Sequence, residues 1–152
     1  MYVIFASWAM LMIGLLGQQP ASSSPANSSL DYEFFKTKVQ PIFLNAKRGG
    51  PGGIHARCYT CHSAGTGFRL QPLSPDATTW DEEQSQKNFL AAKRVVAAGS
   101  LKSRLLVHPL AEAAGGDFFH NGGKHFTSQN DPEWQTLKAW VMGETSTKKT
   151  GQ

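Results

Sequence analysis

The residues of this chain best suited to do chemistry are two cysteines and a histidine that lie close together. Cys58, Cys61 and His62 belong to the run Cys-Tyr-Thr-Cys-His. This C-x-x-C-H pattern is the attachment signature of c-type haem. Two thiols about one turn apart can add to the two vinyl groups of a porphyrin, and the adjacent histidine can supply a nitrogen ligand to the iron. The spacing therefore predicts one covalently bound haem c, with His62 as the proximal iron ligand.

Two other uses of a C-x-x-C pair are less consistent with the rest of the sequence. A redox dithiol of the thioredoxin type is expected in a βαβ context, which the pattern does not indicate. A structural zinc site needs four ligands, and the remaining candidates, His108, His120 and His125, have irregular spacing. Because the chain has only two cysteines, a disulfide framework is excluded.

Composition sets the size and class of the protein. The chain has 152 residues, of which 40% are hydrophobic and 11% aromatic, so we expect one small domain with a packed core. The formal net charge is +4, but the basic residues are scattered rather than clustered. A surface that follows a phosphate backbone needs a denser basic patch, so nucleic acid is excluded as a partner.

The N-terminal segment is expected to direct export. Residues 2–17 are almost wholly apolar, and no charged side chain precedes Asp31. The run is shorter than the roughly 20 residues of a spanning helix, which favours a secretory signal peptide over residues 1–21. An uncleaved membrane anchor is the alternative. Either reading predicts a periplasmic or otherwise extracytoplasmic protein, and a membrane is a partner only if the segment is uncleaved.

The rest of the chain is predicted to hold one all-α domain. Residues 22–30 are rich in Ser, Pro, Ala and Asn and are predicted to form a flexible tether, followed by a domain at 31–143 and a disordered tail at 144–152. Asp31 is expected to cap a first helix that bends or ends near Pro41. Asp131 and Pro132 are expected to begin the last helix, whose apolar face consists of Trp134, Leu137, Trp140 and Val141.

Two further helices and a long loop are predicted between these ends. Thr79 and Glu82 have the spacing of a capping box, which predicts a helix from Trp80 to Ala98. Ser100 is expected to cap a short helix over residues 101–107. Residues 109–130 lack helical periodicity, and loops of this length in small domains are usually functional.

The chain resembles class I-type monohaem cytochrome c domains and is similar, more narrowly, to planctomycete-type c cytochromes. Three stretches carry the resemblance and together cover most of residues 31–142: VQPIFLNAKRGGPGGIHARCYTCH, SRLLVHPLAEAAGGDFFHNGGKHF and DPEWQTLKAWV. The resemblance implies a small helical domain wrapped around one haem. It also implies that the N-terminal helix crosses the C-terminal helix beside the haem edge. The apolar faces suited to that contact are Phe35/Phe43 and Leu137/Trp140/Val141.

The sequence departs from this family at the second axial ligand. Most relatives supply a methionine shortly before the last helix, whereas three methionines of this chain lie in the leader and Met142 ends the last predicted helix. The expected position, eight residues before Glu133, is occupied by His125. We therefore predict His62/His125 ligation, with His120 as the runner-up and His108 after it. The alternative is a surface His125 with a five-coordinate iron or a Met142 ligand.

Several charged residues are candidates to pair with a haem propionate, although a solvated surface position is their simpler interpretation. They are His55, Arg57, Arg69 and Lys124.

The resemblance implies an electron carrier rather than an enzyme, with redox proteins as partners. A haem enzyme or ligand sensor with an open or labile sixth position, such as a peroxidase-like protein, is one alternative. A haem subunit of a larger respiratory assembly is another.

Overall fold

The described part of the chain is mainly helical. It comprises residues 29–48, 54–56 and 58–147 of the computed structural model. The predicted signal peptide, most of the predicted tether and the end of the predicted tail lie outside these residues, as does the Gly-rich stretch at 49–53. Among the described residues, no helix is both long and apolar enough to span a membrane.

The first helical unit is continuous but changes geometry midway. It consists of α1 (Tyr32–Phe34), a π-helical turn (Phe35–Val39) and α2 (Gln40–Leu44). The Asp31 side chain caps α1 by accepting from the backbone N–H of Phe34 at 2.5 Å, as predicted. The wide turn directly precedes Pro41, whose ring has no N–H and crowds the preceding turn. Pro41 therefore does not end the helix, which continues to Leu44 after the π-helical turn.

A short ladder that the sequence did not predict follows this unit. Strands β1 (Ala46–Arg48) and β2 (Ile54–Ala56) pair antiparallel, with Ala46 opposite Ala56 and Arg48 opposite Ile54. The next element, α3 (Tyr59–His62), contains most of the C-x-x-C-H run. The ladder thus lies directly before the motif.

The longest helix, α4, covers Glu82–Lys93 and is shorter at both ends than the predicted helix from Trp80 to Ala98. Its capping box is formed by Asp81 and Gln84, not by Thr79 and Glu82. Aspartate is a stronger N-cap than threonine, so the helix begins two residues later than predicted. It ends before Ala98 because the chain turns there, with the N–H of Ala97 donating to Ser103 Oγ at 3.3 Å.

The C-terminal half contains two helices joined by a loop. The short helix α5 is confined to Arg104–Val107, with Ser103 rather than Ser100 at its N-cap. The loop after it is irregular apart from one 3-10 turn at Glu112–Ala114. The last helix, α6, covers Pro132–Val141, and Asp131 caps it by accepting from the backbone N–H groups of Glu133 and Trp134. The prediction for this helix is confirmed.

The core lies where the first helical unit crosses α6. The Phe35 and Trp140 rings are 5.2 Å apart between centroids, and Trp140 Nε1 donates to the Asp31 carbonyl at 2.8 Å. Trp134 Nε1 donates to the Leu106 carbonyl at 3.1 Å and so attaches α5 to α6. The four residues predicted for the apolar face of α6 are all buried: Trp134, Leu137, Trp140 and Val141.

The two ends of the described chain also contact the rest of the fold, one at the core and one at the cap of the first helix. Leu30, from the predicted tether, packs against it while partly buried. Ser146, from the predicted tail, donates a 3.3 Å hydrogen bond to the Asp31 carboxylate.

Candidate functional site

Helix α3 holds the C-x-x-C-H run against the first helical unit. The backbone N–H of Cys58 donates to the Phe43 carbonyl at 3.2 Å, and the N–H of His62 donates to the Cys58 carbonyl at 3.0 Å. Both cysteines lie in the described part of the chain, and neither forms a disulfide. Cys58 is half-buried and Cys61 is exposed. The motif therefore presents its two thiols three residues apart on one short helix.

The His62 imidazole is held by the segment that follows the motif. His62 Nδ1 lies 2.6 Å from the Phe68 carbonyl oxygen and 2.6 Å from Thr66 Oγ1. A carbonyl oxygen only accepts, so the proton is on Nδ1 and the Nε2 lone pair is left available for a metal. The Phe68 ring also packs on the imidazole, with centroids 4.8 Å apart.

Burial favours the neutral form of His62. It lowers the pKa of His62 because the imidazolium form loses hydration, although the Phe68 carbonyl opposes this shift. A neutral imidazole with its proton fixed on Nδ1 is the form that binds a metal through Nε2. The local structure thus prepares His62 as a ligand.

The loop between α5 and α6 carries three more histidines, which form a cluster with His62. Its two ends are joined, because the N–H of Ala111 donates to the Phe126 carbonyl at 2.8 Å and the N–H of His125 donates to the Pro109 carbonyl at 2.8 Å. Such closure makes a compact loop with fixed ends. Within it, the ring of His120 lies 6.4 Å from that of His62, 4.7 Å from His108 and 5.5 Å from His125, measured between centroids.

His120 repeats the arrangement of His62. Its Nδ1 lies 2.5 Å from the Gly123 carbonyl oxygen, so the proton is again on Nδ1 and Nε2 is left as the available nitrogen. Burial lowers the pKa of His120, and the nearby His108, His62 and Lys124 lower it further, against the effect of the Gly123 carbonyl. Burial thus favours the neutral form of His120, whose ring centroid lies 6.4 Å from that of His62.

The other predicted ligands have different surroundings. His108 is paired through Nδ1 with the Asp117 carboxylate at 3.0 Å, and its Nε2 lies 3.4 Å from Arg104 Nη2. His125 is half-buried beside His120. Met142 is the C-cap residue of α6 and is 45% exposed. His62 and His120 each have Nδ1 within hydrogen-bonding distance of a backbone carbonyl.

The residues at this site fit a haem. Two imidazoles that bind one metal ion on opposite sides, each with a metal–nitrogen distance of about 2 Å, have ring centroids about 6 Å apart. The 6.4 Å between the ring centroids of His62 and His120 is close to this distance. Within the described residues, no group of three or more His, Cys, Asp and Glu side chains is arranged to hold a bare metal ion. A haem iron would need at most two ligands from the protein, and this pair could supply them.

The propionate candidates divide into three cases. Lys124 donates to the carbonyls of His108, at 3.1 Å, and Asp117, so its ammonium group is used within the loop. Arg69 is exposed and lines a separate groove. Arg57 and the His55 side chain lie outside the described residues.

Some residues of the site were not predicted from the sequence. The acceptors at Phe68 and Gly123 are backbone carbonyls, which no residue type reveals. The His108–Asp117 pair joins residues nine apart within an irregular loop. A weak signal existed for Thr66, which stands four residues after His62, and for Gly123, a turn residue three after His120.

Comparison of the chain with protein-family models, with curated proteins and with solved structures returns no match. The functional assignment therefore depends on the residues and geometry of the site itself.

Proposed function

We propose that this chain is an exported c-type cytochrome that carries single electrons through one covalently bound haem. The observation that carries the proposal is the pairing of His62, in the C-x-x-C-H run, with His120. Burial lowers the pKa of both, Nδ1 of each lies against a backbone carbonyl, and their ring centroids are 6.4 Å apart. This arrangement supplies two nitrogen ligands and leaves the cysteines to hold the porphyrin edge.

The chain's own residues have positioning roles in this function. The haem, when bound, supplies an iron that cycles between the ferric and ferrous states. Cys58 and Cys61 would hold the haem covalently, and His62 and His120 would supply nitrogen ligands to its iron. The carbonyls of Phe68 and Gly123 hold the two rings in one orientation, so little movement accompanies the gain or loss of an electron.

The geometry of His120 supports it as the distal ligand. Sequence position favoured His125, because it stands where relatives place their methionine. His120 has its Nδ1 held by the Gly123 carbonyl, and its ring centroid lies 6.4 Å from that of His62. His125 is near enough to contact the His120 ring, with centroids 5.5 Å apart, and would then pack beside the ligand. Either histidine should give a lower reduction potential than a His/Met pair, because methionine raises it.

A second candidate, a haem enzyme with an open iron position, has one observation in its favour. His108 is oriented by Asp117 and lies near Arg104, so a histidine with an ordered proton stands close to a cation. Such a pair could move a proton at a bound ligand. It would require an iron position not held by His120, whose ring lies 4.7 Å from that of His108 and 6.4 Å from that of His62.

The first experiment measures haem attachment and the occupancy of the iron. After expression with a c-haem maturation system, the mature protein should carry the mass of one haem, and Cys58→Ala or Cys61→Ala should sharply reduce the haem-loaded yield. A bare polypeptide mass would contradict the proposal. Addition of cyanide or carbon monoxide should leave the absorption spectrum of the wild type unchanged. Rapid binding of either would favour the haem-enzyme candidate instead.

A further inference from the structure

A groove with a volume of about 290 Å³ lies beside the segment that anchors His62. One wall is formed by the chain from Gly67 to Gln71, and the other by the C-terminal half of α4 and the residue after it. The N–H of Gln71 donates to Asn88 Oδ1 at 2.7 Å and holds the two walls together. The groove is therefore defined by packed elements on both sides.

The groove carries uncompensated positive charge. Its basic residues are Arg69, Lys87 and Arg94. Lys87 is paired with Glu83 at 2.6 Å along the surface of α4. Arg69 and Arg94 are exposed and make neither an ion pair nor a side-chain hydrogen bond with any described residue. Since a guanidinium remains protonated at any ordinary pH, the groove has two charges with no counter-ion from the described fold.

An exposed apolar residue lies among these charges. Leu90 lines the groove and is 56% exposed. An apolar centre with a charged, hydrated rim is the composition of many protein–protein interfaces. A small inorganic anion would use only the arginines, whereas the side chains of a protein surface could also cover the leucine.

The groove is connected to the proposed electron site through one residue. Gly67 and Arg69, which line it, are the chain neighbours of Phe68. Phe68 accepts from His62 Nδ1 through its carbonyl at 2.6 Å and packs its ring on the imidazole. A partner seated in the groove would thus be separated from a proximal iron ligand by a short path of covalent and hydrogen bonds.

We infer that this groove is the docking site for an acidic redox partner protein, which exchanges an electron on the proximal, His62 side of the site. The inference rests on the proposed function. Carboxylates of the partner would pair with Arg69 and Arg94, and an apolar residue would cover Leu90. Complementary charge of this kind raises the rate of encounter more than it raises affinity, which suits a partner that must leave after each electron.

The test is a pair of double variants with the same change in net charge. Arg69→Glu/Arg94→Glu reverses the groove, and Lys38→Glu/Lys102→Glu reverses two exposed lysines elsewhere on the surface. The haem-loaded ferrous proteins are mixed with ferricyanide in a stopped-flow instrument. Each ferrous iron gives one electron to ferricyanide, which becomes ferrocyanide, with no proton transferred. A cationic oxidant, tris(phenanthroline)cobalt(III), serves as the second probe.

The groove variant should react with ferricyanide about tenfold more slowly than the wild type at low ionic strength, and the difference should shrink as salt is added. The rate of the lysine variant with ferricyanide should fall much less. The groove variant should react with the cationic oxidant no more slowly than the wild type does. Hexaglutamate, which presents the carboxylates of an acidic surface, should slow the wild type and leave the groove variant unaffected.

If the two double variants lost the same fraction of the ferricyanide rate, the docking inference would be wrong. It would also be wrong if hexaglutamate slowed the wild type and the groove variant equally. These results differ from a failure of the proposed function. In that case the wild type would carry no haem, or would show no ferric–ferrous change in absorption before any kinetics are measured.

Discussion

Two backbone carbonyls decide which nitrogens of the histidine cluster are available at this site. His62 and His120 each give their Nδ1 proton to a carbonyl, of Phe68 and Gly123 respectively, and both are buried enough to lower their pKa values. Because burial favours the neutral imidazoles, the stability that depends on burying these two histidines is fully present above the ordinary histidine pKa of 6.5. That stability is lost as the pH falls below this value and the rings become protonated.

The first prediction separates the candidate distal ligands. In the ferric, haem-loaded protein, His120→Ala should remove most of the low-spin signal and open the iron to cyanide, because the anchored nitrogen is lost. His125→Ala, His108→Ala and Met142→Leu should remain low-spin. Absorption and electron paramagnetic resonance spectra measure the change. Loss of the low-spin state in His125→Ala, with a native His120→Ala spectrum, would restore the ligand that sequence position favoured.

The loop between α5 and α6 is the element that places His120, and a glycine controls its path. Gly116 lies against the backbone of Leu110, so a Cβ built at residue 116 would be 1.9 Å from the Leu110 carbonyl oxygen. The N–H of Gly116 also donates to the Ala111 carbonyl at 3.0 Å. Since a carbonyl in the backbone cannot rotate away as a side chain does, this approach requires the absence of a side chain.

The second prediction uses that contact. Gly116→Ala should lower the free energy of unfolding by about 1–3 kcal/mol, as overpacking usually does, and should reduce the low-spin fraction because the loop that carries His120 is displaced. Thermal unfolding and the ferric spectrum report the two effects.

Gly67→Ala is the matched control. A Cβ at residue 67 would meet no atom within 4 Å, and the residue has no positive φ. The control should remain close to the wild type in both measurements. A Gly116→Ala protein with native stability and a native spectrum would show that the loop tolerates a shift at Leu110 without moving His120.

At the scale of the whole molecule, features that depend on neighbouring residues, such as caps and helix faces, could be predicted from the sequence. Contacts between residues distant in sequence could not. The cap at Asp131 and the buried face of α6 were predicted, because caps and helical periodicity are local. The start of α4 was missed because two residues only two positions apart, Thr79 and Asp81, are both suitable caps. The C-x-x-C-H run was read from residue types alone.

The partner of His62 could not be read in the same way. The loop that carries His120 to within 6.4 Å of His62 is closed by backbone hydrogen bonds between residues far apart in sequence, such as that from Ala111 to Phe126. Sequence position therefore pointed to this loop but could not show how its three histidines lie relative to His62.

A surface carboxylate, that of Glu82, links two helical elements. Glu82, at the start of α4, forms an ion pair with Lys36 and accepts from Tyr32 Oη at 2.7 Å, so it links α4 to the first helical unit. These contacts lower the pKa of Glu82 to about 2, mainly through the hydrogen bond from Lys36 and then that from Tyr32. The linked carboxylate is more acidic in the folded state than in the unfolded chain.

The last prediction follows from that difference. A carboxyl group with a lowered pKa in the fold contributes stability above its unfolded pKa of about 4.5, and the contribution is lost as the pH falls towards 2. Glu82→Gln should therefore melt at a lower temperature than the wild type at pH 7, and the gap should close between pH 4.5 and 2. Glu83→Gln, which loses only a pair within α4, should show a smaller gap at pH 7. Circular dichroism melts of the haem-loaded proteins at several pH values measure this, and a Glu82→Gln gap that stays constant or widens in acid would contradict the linkage.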